Sequence, residues 1–227
     1  MRKANYNYCK QKAYEQLIVQ NCDCFPIDVL SLELTDAFLM IETFKNCSEE
    51  TKRKICDYSI DEFADDAYCF RDNYYGLYVI LYNDEIISEG RKLWNLAHEI
   101  GHLVLKHPNP LSENISDEEN KVLESEANFF ASQLLLPDCI LKILIKNGVP
   151  VTPAYLSNTF GLSLEAATNR WKSMRTKYEN KYFDTDFDET IIFKFDKFLK
   201  KLYPKIKRYD IDEDLESQRD RDNWLYR

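Results

Sequence analysis

Three side chains in the stretch WNLAHEIGHLVLKHP, residues 94–108, have the types and spacing for joint chemistry: His98, Glu99 and His102. Four residues advance an α-helix by slightly more than one turn, so both imidazoles project from one side. Their ring nitrogens can then meet a single ion at about 2.0 to 2.1 Å. A catalytic zinc ordinarily holds three protein groups and leaves its fourth position to water, whose pKa falls toward 7. Glu99 stands where a base can take the water's proton and pass it to a departing amine, which is the chemistry of peptide-bond hydrolysis. One Zn2+ is therefore the expected cofactor. The motif would arise by chance in roughly three of a thousand chains of this histidine content, so an ordinary polar surface helix is the weaker reading. The third histidine, His107, lies outside the motif beside Pro108 and reads as a surface or helix-end residue, with contact to substrate as the minor alternative.

A helix must present these groups, and its ends are marked. Ser88 is a plausible N-cap, and Pro108 follows the last turn. Leu93, Leu96, Ala97, Ile100, Leu103 and Val104 wrap most of the circumference, whereas Asn95, His98, Glu99, His102 and Lys106 form a polar stripe. Such a helix is largely buried, so its stripe has to face a cavity or a ligand, because an unpartnered buried polar group costs on the order of 1 to 3 kcal/mol. The third ligand must come from elsewhere. Ser116 and Glu119 form a capping box that opens a second helix, with Leu123, Ala127, Phe130, Ala131 and Leu134 on one face and an end near Pro137. Glu124 and Glu126 flank that face almost symmetrically, and periodicity does not choose between them.

The remaining elements frame these two. Residues 8–20 have helical spacing. Residues 26–44 read either as a short helix followed by a strand or as one buried helix. DAYCFRDNYYGLYVILYND reads as a hairpin or meander around a turn at Arg71-Asp72-Asn73. DCILKILIKNG ends on Asn147-Gly148 as a helix C-cap does, Thr152-Pro153 caps another helix, and Gly161 with Ser163 splits YLSNTFGLSLEAATNRWKSM into two helices around a tight turn. After residue 178 acidic strings enclose a basic, aromatic stretch, FKFDKFLKKLYPKIKR, read as one amphipathic helix.

Composition sets outer bounds. An apolar share of 44% in 227 residues supplies a core. A net charge of -9 and a pI near 5.0 argue against nucleic acid or an anionic membrane as the main partner. No apolar stretch has the length of a membrane span, and the N-terminal residues do not resemble a signal peptide, so a cytoplasmic location is expected. Seven cysteines without framework spacing are expected as free thiols.

HEIGHLVLKH followed by ESEANFFASQLLLP closely resembles the ImmA/IrrE family of zinc metallopeptidases, which carry H-E-x-x-H and, downstream, E-x-x-A-N-x-F-A-x-x-L-L-x-P. The likeness extends upstream through VILYNDEIISEGRKLWNLA and downstream into YLSNTFGLSLEAATNRW, similar to the helix-turn-helix-like pair that often closes the family's domain. The resemblance implies that Glu124 is the third ligand, with Glu126 as runner-up, and that Asn128 supports the ligands from one turn on. It also implies a protein substrate: known members cut helix-turn-helix repressors and so release genes of mobile elements or stress responses.

The expected fold is α+β, a mostly helical zincin-like metallopeptidase domain with a small β-sheet before the active-site helix, closed by a helix-turn-helix-like pair. The expected organisation is a domain over 1–178 and a charged, aromatic C-terminal extension over 179–227. The expected activity is zinc-dependent endopeptidase, with Glu99 as catalytic base and His98, His102 and Glu124 as metal ligands. A competing reading is a DNA-binding or protein-binding regulator with a vestigial metal site, suggested by Arg170, Lys172, Arg175 and Lys177 on the second helix of the pair. One small basic helix in an acidic chain is a weak electrostatic footprint, so a helical hairpin covering the core is favoured there.

Overall fold

Asn5 accepts a hydrogen bond from the Tyr8 amide and so starts the first helix, α1 (Tyr6–Val19). This is a computed structural model, and it describes residues 2–35, 37–46, 67–72, 76–108, 115–179 and 187–204. Asn73 in the expected turn, the linker 109–114 and the acidic strings around 180–186 and after 204 lie outside the described residues. α1 buries Ala13, Tyr14 and Leu17 and then yields to an irregular stretch with one 3-10 turn, Val29–Ser31. Residues 26–44 thus follow the first of the two readings, a short helical turn and then a strand.

Three strands follow: β1 (Leu39–Thr43), β2 (Ala67–Asp72) and β3 (Leu77–Tyr82). β2 and β3 pair antiparallel, as the hairpin pattern predicts, with Cys69 opposite Ile80, but the turn comes later than expected: Arg71 and Asp72 are still in β2, opposite Tyr78 and Leu77. β1 lies parallel to β3 on its other side, giving the order β1-β3-β2. β3 is therefore the central strand, which explains its unbroken apolar run: Ile80 joins the main core, while Val79 and Leu81 pack with Phe44, Phe70 and Leu77 on the opposite face. The register turns Cys69 to the same face as Ile80, toward the helix that follows. A slip of one residue would put Phe70 there instead.

That helix is α2 (Glu89–Val104), with Ser88 accepting from the Arg91 amide at its N-terminus. α3 (Asp117–Leu135) begins on Ser116, which accepts from the Glu119 amide, and its expected apolar face, Leu123, Ala127, Phe130, Ala131 and Leu134, is fully buried. Removing side chains of this size from water contributes roughly 1.5 to 3 kcal/mol each for the larger ones. α2 and α3 come close because Gly101 has no side chain: a Cβ there would stand 3.0 Å from Phe130 Cδ1 and 3.2 Å from the Ala127 carbonyl oxygen.

α4 (Asp138–Lys146) ends at Asn147 with Gly148 at φ 74°, and α5 (Pro153–Phe160) starts on Thr152 and ends at Gly161, φ 69°. α6 (Leu164–Glu179) completes the helix-turn-helix-like pair. Its turn presses against the start of α2, since a Cβ on Gly90 would meet Ser163 N at 2.3 Å and Leu162 C at 2.6 Å.

The helix expected in the basic, aromatic segment is α8 (Asp196–Leu202); a further short helix, α7 (Asp188–Lys194), precedes it from the acidic string, and the two meet at Phe195. Ile191, Phe195 and Leu199 are fully buried, the Phe195 ring packs tilted on Phe25 with centroids 4.4 Å apart, and Asp188 pairs with the buried Lys10 at 3.2 Å. Ile191, Phe195 and Leu199 recur every four residues, and the amides of Phe195 and Leu199 donate to the carbonyls of Ile191 and Phe195, so the buried line runs on across the junction. The molecule is a mostly helical α+β domain of the expected class. Among the described residues no single helix is long and apolar enough to cross a membrane, and Cys9, Cys22, Cys24, Cys69 and Cys139 are free.

Candidate active site

The polar stripe of α2 faces α3 and β2, and three of its expected partners converge. His98 Nε2 lies 3.0 Å from His102 Nε2 and 3.1 Å from Glu124 Oε2, and His102 Nε2 lies 3.4 Å from Glu124 Oε1. Three donors held about 2.1 Å from one tetrahedral ion stand about 3.4 Å from one another. The spacing and the donor set, two imidazole nitrogens and a carboxylate oxygen, are compatible with a metal ion. The imidazole rings are mostly buried, 15% and 11% exposed, whereas Glu124 is 43% exposed, so the group opens on its glutamate side.

Asn128 orients the first imidazole. Its Nδ2 donates to the Glu124 carbonyl oxygen at 2.9 Å, leaving Oδ1 to accept from His98 Nδ1 at 3.2 Å. The supporting role implied by the resemblance therefore has a direct geometric counterpart, and His98 turns Nε2 inward. Burial pulls the His98 pKa down, but the hydrogen bond to Glu124 and the charges of Glu99 and Glu124 outweigh it, and the net direction is upward. Glu124 shifts the opposite way, held below the usual carboxylate range by its bond to His98 despite burial. His102, buried and facing the positive His98, is driven down to about 3.

Glu99 sits beside this group on the side of the sheet. Burial raises its pKa above the ordinary carboxylate value, partly offset by the charge of His98 and by a hydrogen bond from Cys69. The Cys69 thiol is itself pushed well up, by burial first and then by the charge of Glu99, so it remains an S–H donor to that carboxylate. Sequence reasoning missed Cys69. The signal was the hairpin register, which needs the pairing partner of each residue and not only the strand's own pattern.

Two expectations are sharpened. His107 is the helix-end residue of the two readings, but its side chain is turned inward and is 3% exposed. Lys106 adopts φ 56°, and the amides of Lys106 and His107 donate to the carbonyls of Leu103 and His102, the double hydrogen bond of a Schellman end. That turn folds His107 back beneath the helix, against His102. Glu126, the runner-up ligand, is also buried, 3% exposed, but lies outside the converging group. It accepts from Arg2 at 2.8 Å and from the Asn5 amide at 2.7 Å. A hydrophobic step usually joins the residues five apart in this kind of helix end, so a polar pair at that spacing, His102 and His107, was a readable signal.

The competing DNA-binding reading loses one of its four basic residues. Arg170 is buried, 4% exposed, pairing with Asp138 at 2.7 Å and donating to the Leu136 carbonyl. The side chains of Arg175 and Lys177 lie outside the described residues.

No curated protein matches the sequence. The family model described as the IrrE N-terminal-like domain, a peptidase family, matches residues 49–172, which is more than half of the chain and takes in β2, β3, α2, α3 and the helical pair. With the match running through every residue of the converging group, the chain belongs to the IrrE N-terminal-like family of peptidases.

Proposed function

We propose that the protein is a zinc-dependent endopeptidase that hydrolyses a peptide bond in a partner protein, with His98, His102 and Glu124 as zinc ligands and Glu99 as general base. The observation that carries this reading is the meeting of His98 Nε2, His102 Nε2 and the Glu124 carboxylate within 4.8 Å of one another, beside a buried acid. A nitrogen-rich, three-ligand set with a carboxylate suits Zn2+ better than Mg2+ or Ca2+, which prefer all-oxygen surroundings. Zinc bound by such a set acts as a Lewis acid that polarises a carbonyl and eases the ionisation of water.

The chain's own residues supply the rest. The Glu99 carboxylate takes a proton from the attacking water and delivers it to the leaving amine. Its raised pKa brings it closer to neutrality, where a base that must later act as an acid is most effective. Cys69, by donating to the same carboxylate, restrains its rotation. Asn128 holds His98 with Nε2 inward. The partially open Glu124 side is where a polypeptide can approach.

The family resemblance supports a helix-turn-helix repressor as the substrate, and the acidic net charge favours a protein over nucleic acid as partner. Mixing the purified protein with repressors encoded near it, with and without added Zn2+ and after chelation, tests both parts. Zinc-dependent fragments of a repressor are expected. A protein that takes up no zinc and yields no fragments overturns the enzyme reading.

A further inference from the structure

Beyond the ligands and the base, the turn that ends α2 carries a third histidine that the reaction does not use and whose side chain the fold buries. His107 Nδ1 lies 3.1 Å from His102 Nδ1, and His107 Nε2 lies 3.3 Å from Glu126 Oε2. The second contact is electrostatic and poorly aligned for a hydrogen bond, and Nε2 has no better acceptor among the described residues. Glu126 is fixed in turn by Arg2 and the Asn5 amide. The chain of groups runs from the N-terminal residues through Glu126 and His107 to His102, whose other nitrogen faces His98 and Glu124.

We propose that Glu126 and His107 are positioning residues that set the tautomer and orientation of His102, so that its Nε2 presents a lone pair to the metal. This rests on reading His98, His102 and Glu124 as a metal site. The logic is one of proton placement. Two imidazole nitrogens 3.1 Å apart need one proton between them. A carboxylate next to His107 Nε2 favours a proton on that nitrogen, which leaves His107 Nδ1 as an acceptor. His102 must then be the donor through its Nδ1–H, and its Nε2 is left free of hydrogen. The opposite arrangement would point an N–H at the ion.

The two ligand histidines are thereby supported in different ways. An amide oxygen on the same helix as Glu124 fixes His98, while a buried carboxylate acting through a second imidazole fixes His102. Outer partners of metal-bound histidines typically change affinity by 10- to 100-fold when removed. The backbone explains why His107 can reach. Only the left-handed turn at Lys106 returns the chain under the last turn of α2, and Glu126, unable to join the converging group, meets it from α3.

Zn2+ affinity of the full-length protein, measured by competition with a chromophoric chelator, tests the proposal, together with the helix content and melting of the metal-free proteins. H107L keeps the volume and loses both nitrogens; Zn2+ affinity should fall about 10- to 100-fold. H107N restores an acceptor oxygen at the place of Nδ1 and should recover most of the loss. E126Q, whose amide can donate to His107 Nε2 and reverse the proton order, should also weaken binding. A folded H107L protein with wild-type affinity overturns the proposal.

Should H107L fail to fold, nitrogen-15 NMR of the zinc-loaded wild type still decides. Protons on His102 Nδ1 and His107 Nε2 support the relay, and any other pair of tautomers refutes it. A wild type that binds no Zn2+ defeats the metallopeptidase reading and the relay together, whereas tight binding by both wild type and folded H107L defeats the relay alone.

Discussion

The two ends of the site helix are secured by opposite means. At its start, Gly90 lies against the backbone of Leu162 and Ser163, and the contact is steric: there is no room for one more carbon. At its finish, His102, His107 and Glu126 form a line of polar contacts, held by the approach of ring nitrogens and a carboxylate rather than by a lack of space. The helix's own converging residues, His98 and His102, lie in this second half. A change at the packed end should therefore cost stability and spare the chemistry of whatever remains folded, while an equal-volume change in the polar half should do the reverse.

Glu99→Gln gives the largest expected effect and the sharpest form of the contrast. Its volume is unchanged and the proposed base is lost, so cleavage of a partner protein should fall by roughly 100- to 10,000-fold. Stability should move the other way. Because the Glu99 pKa is raised in the folded protein, its contribution to stability is intact below the usual carboxylate pKa and is lost as pH rises through the folded value. Glutamine has no such loss. Urea unfolding at pH 4 and pH 8 should show the metal-free variant gaining on the wild type as pH increases. A variant that cleaves at the wild-type rate removes Glu99 from catalysis.

Gly90→Ala tests the packed end. Backbone atoms at 2.3 and 2.6 Å from the new carbon are not side-chain tips that can rotate away, and the cost should approach the upper part of the overpacking range, about 3 kcal/mol. Chemical denaturation measures it directly. An unchanged midpoint would mean that the helical pair does not anchor α2, and the comparison of ends would fail with it.

These two cases also show what the sequence could and could not specify. Local signals survived intact: Ser88, Ser116 and Thr152 cap the helices they were expected to cap, and Gly161 turns the chain between α5 and α6. Such features depend on residues a few positions apart. Glu124 and Glu126 were equivalent by helical period because both border the apolar face of α3. The side on which α2 packs distinguishes them, and that is a tertiary fact. The parallel pairing of β1 with β3, the partnership of Cys69 with Glu99 and the inward fold of His107 are of the same kind. Helix α7 begins in an acidic string that reads as solvated, and the contact of Phe195 with Phe25, 170 positions earlier, is again tertiary.

Metal loading should report the proton held in the polar half. His98 is raised and Glu124 lowered, so in the metal-free protein the pair shares charge between about the usual carboxylate range and above the usual histidine value. The lowered Glu124 stabilises the fold above its unfolded pKa and ceases to do so as pH falls through the folded one. The raised His98 stabilises the fold below its unfolded pKa and ceases to do so as pH rises through the folded one. A cation that takes the same nitrogen must displace the proton, and Zn2+ affinity should drop by up to about tenfold per pH unit as pH decreases below the His98 value. Chelator competition at pH 8 and pH 6 would show it. Affinity independent of pH would place the metal elsewhere.

The smallest effect lies at the turn that joins the two arguments. Lys106 is in the left-handed region at φ 56°, where a side chain costs roughly 1 to 2 kcal/mol and glycine is the usual occupant. Lys106→Gly relieves that strain but gives the unfolded chain more freedom, a loss of roughly 0.5 to 1 kcal/mol. The net gain should be about 0.5 kcal/mol, seen as a small rise in the unfolding midpoint. Since glycine keeps the turn, His107 should stay against His102 and Zn2+ affinity should not change. Placing alanine at Gly90 adds one carbon to a site without space, whereas placing glycine at Lys106 removes a side chain from a site without need of it. If Lys106→Gly weakened zinc binding, the lysine itself, and not the backbone turn, would be what keeps His107 in position.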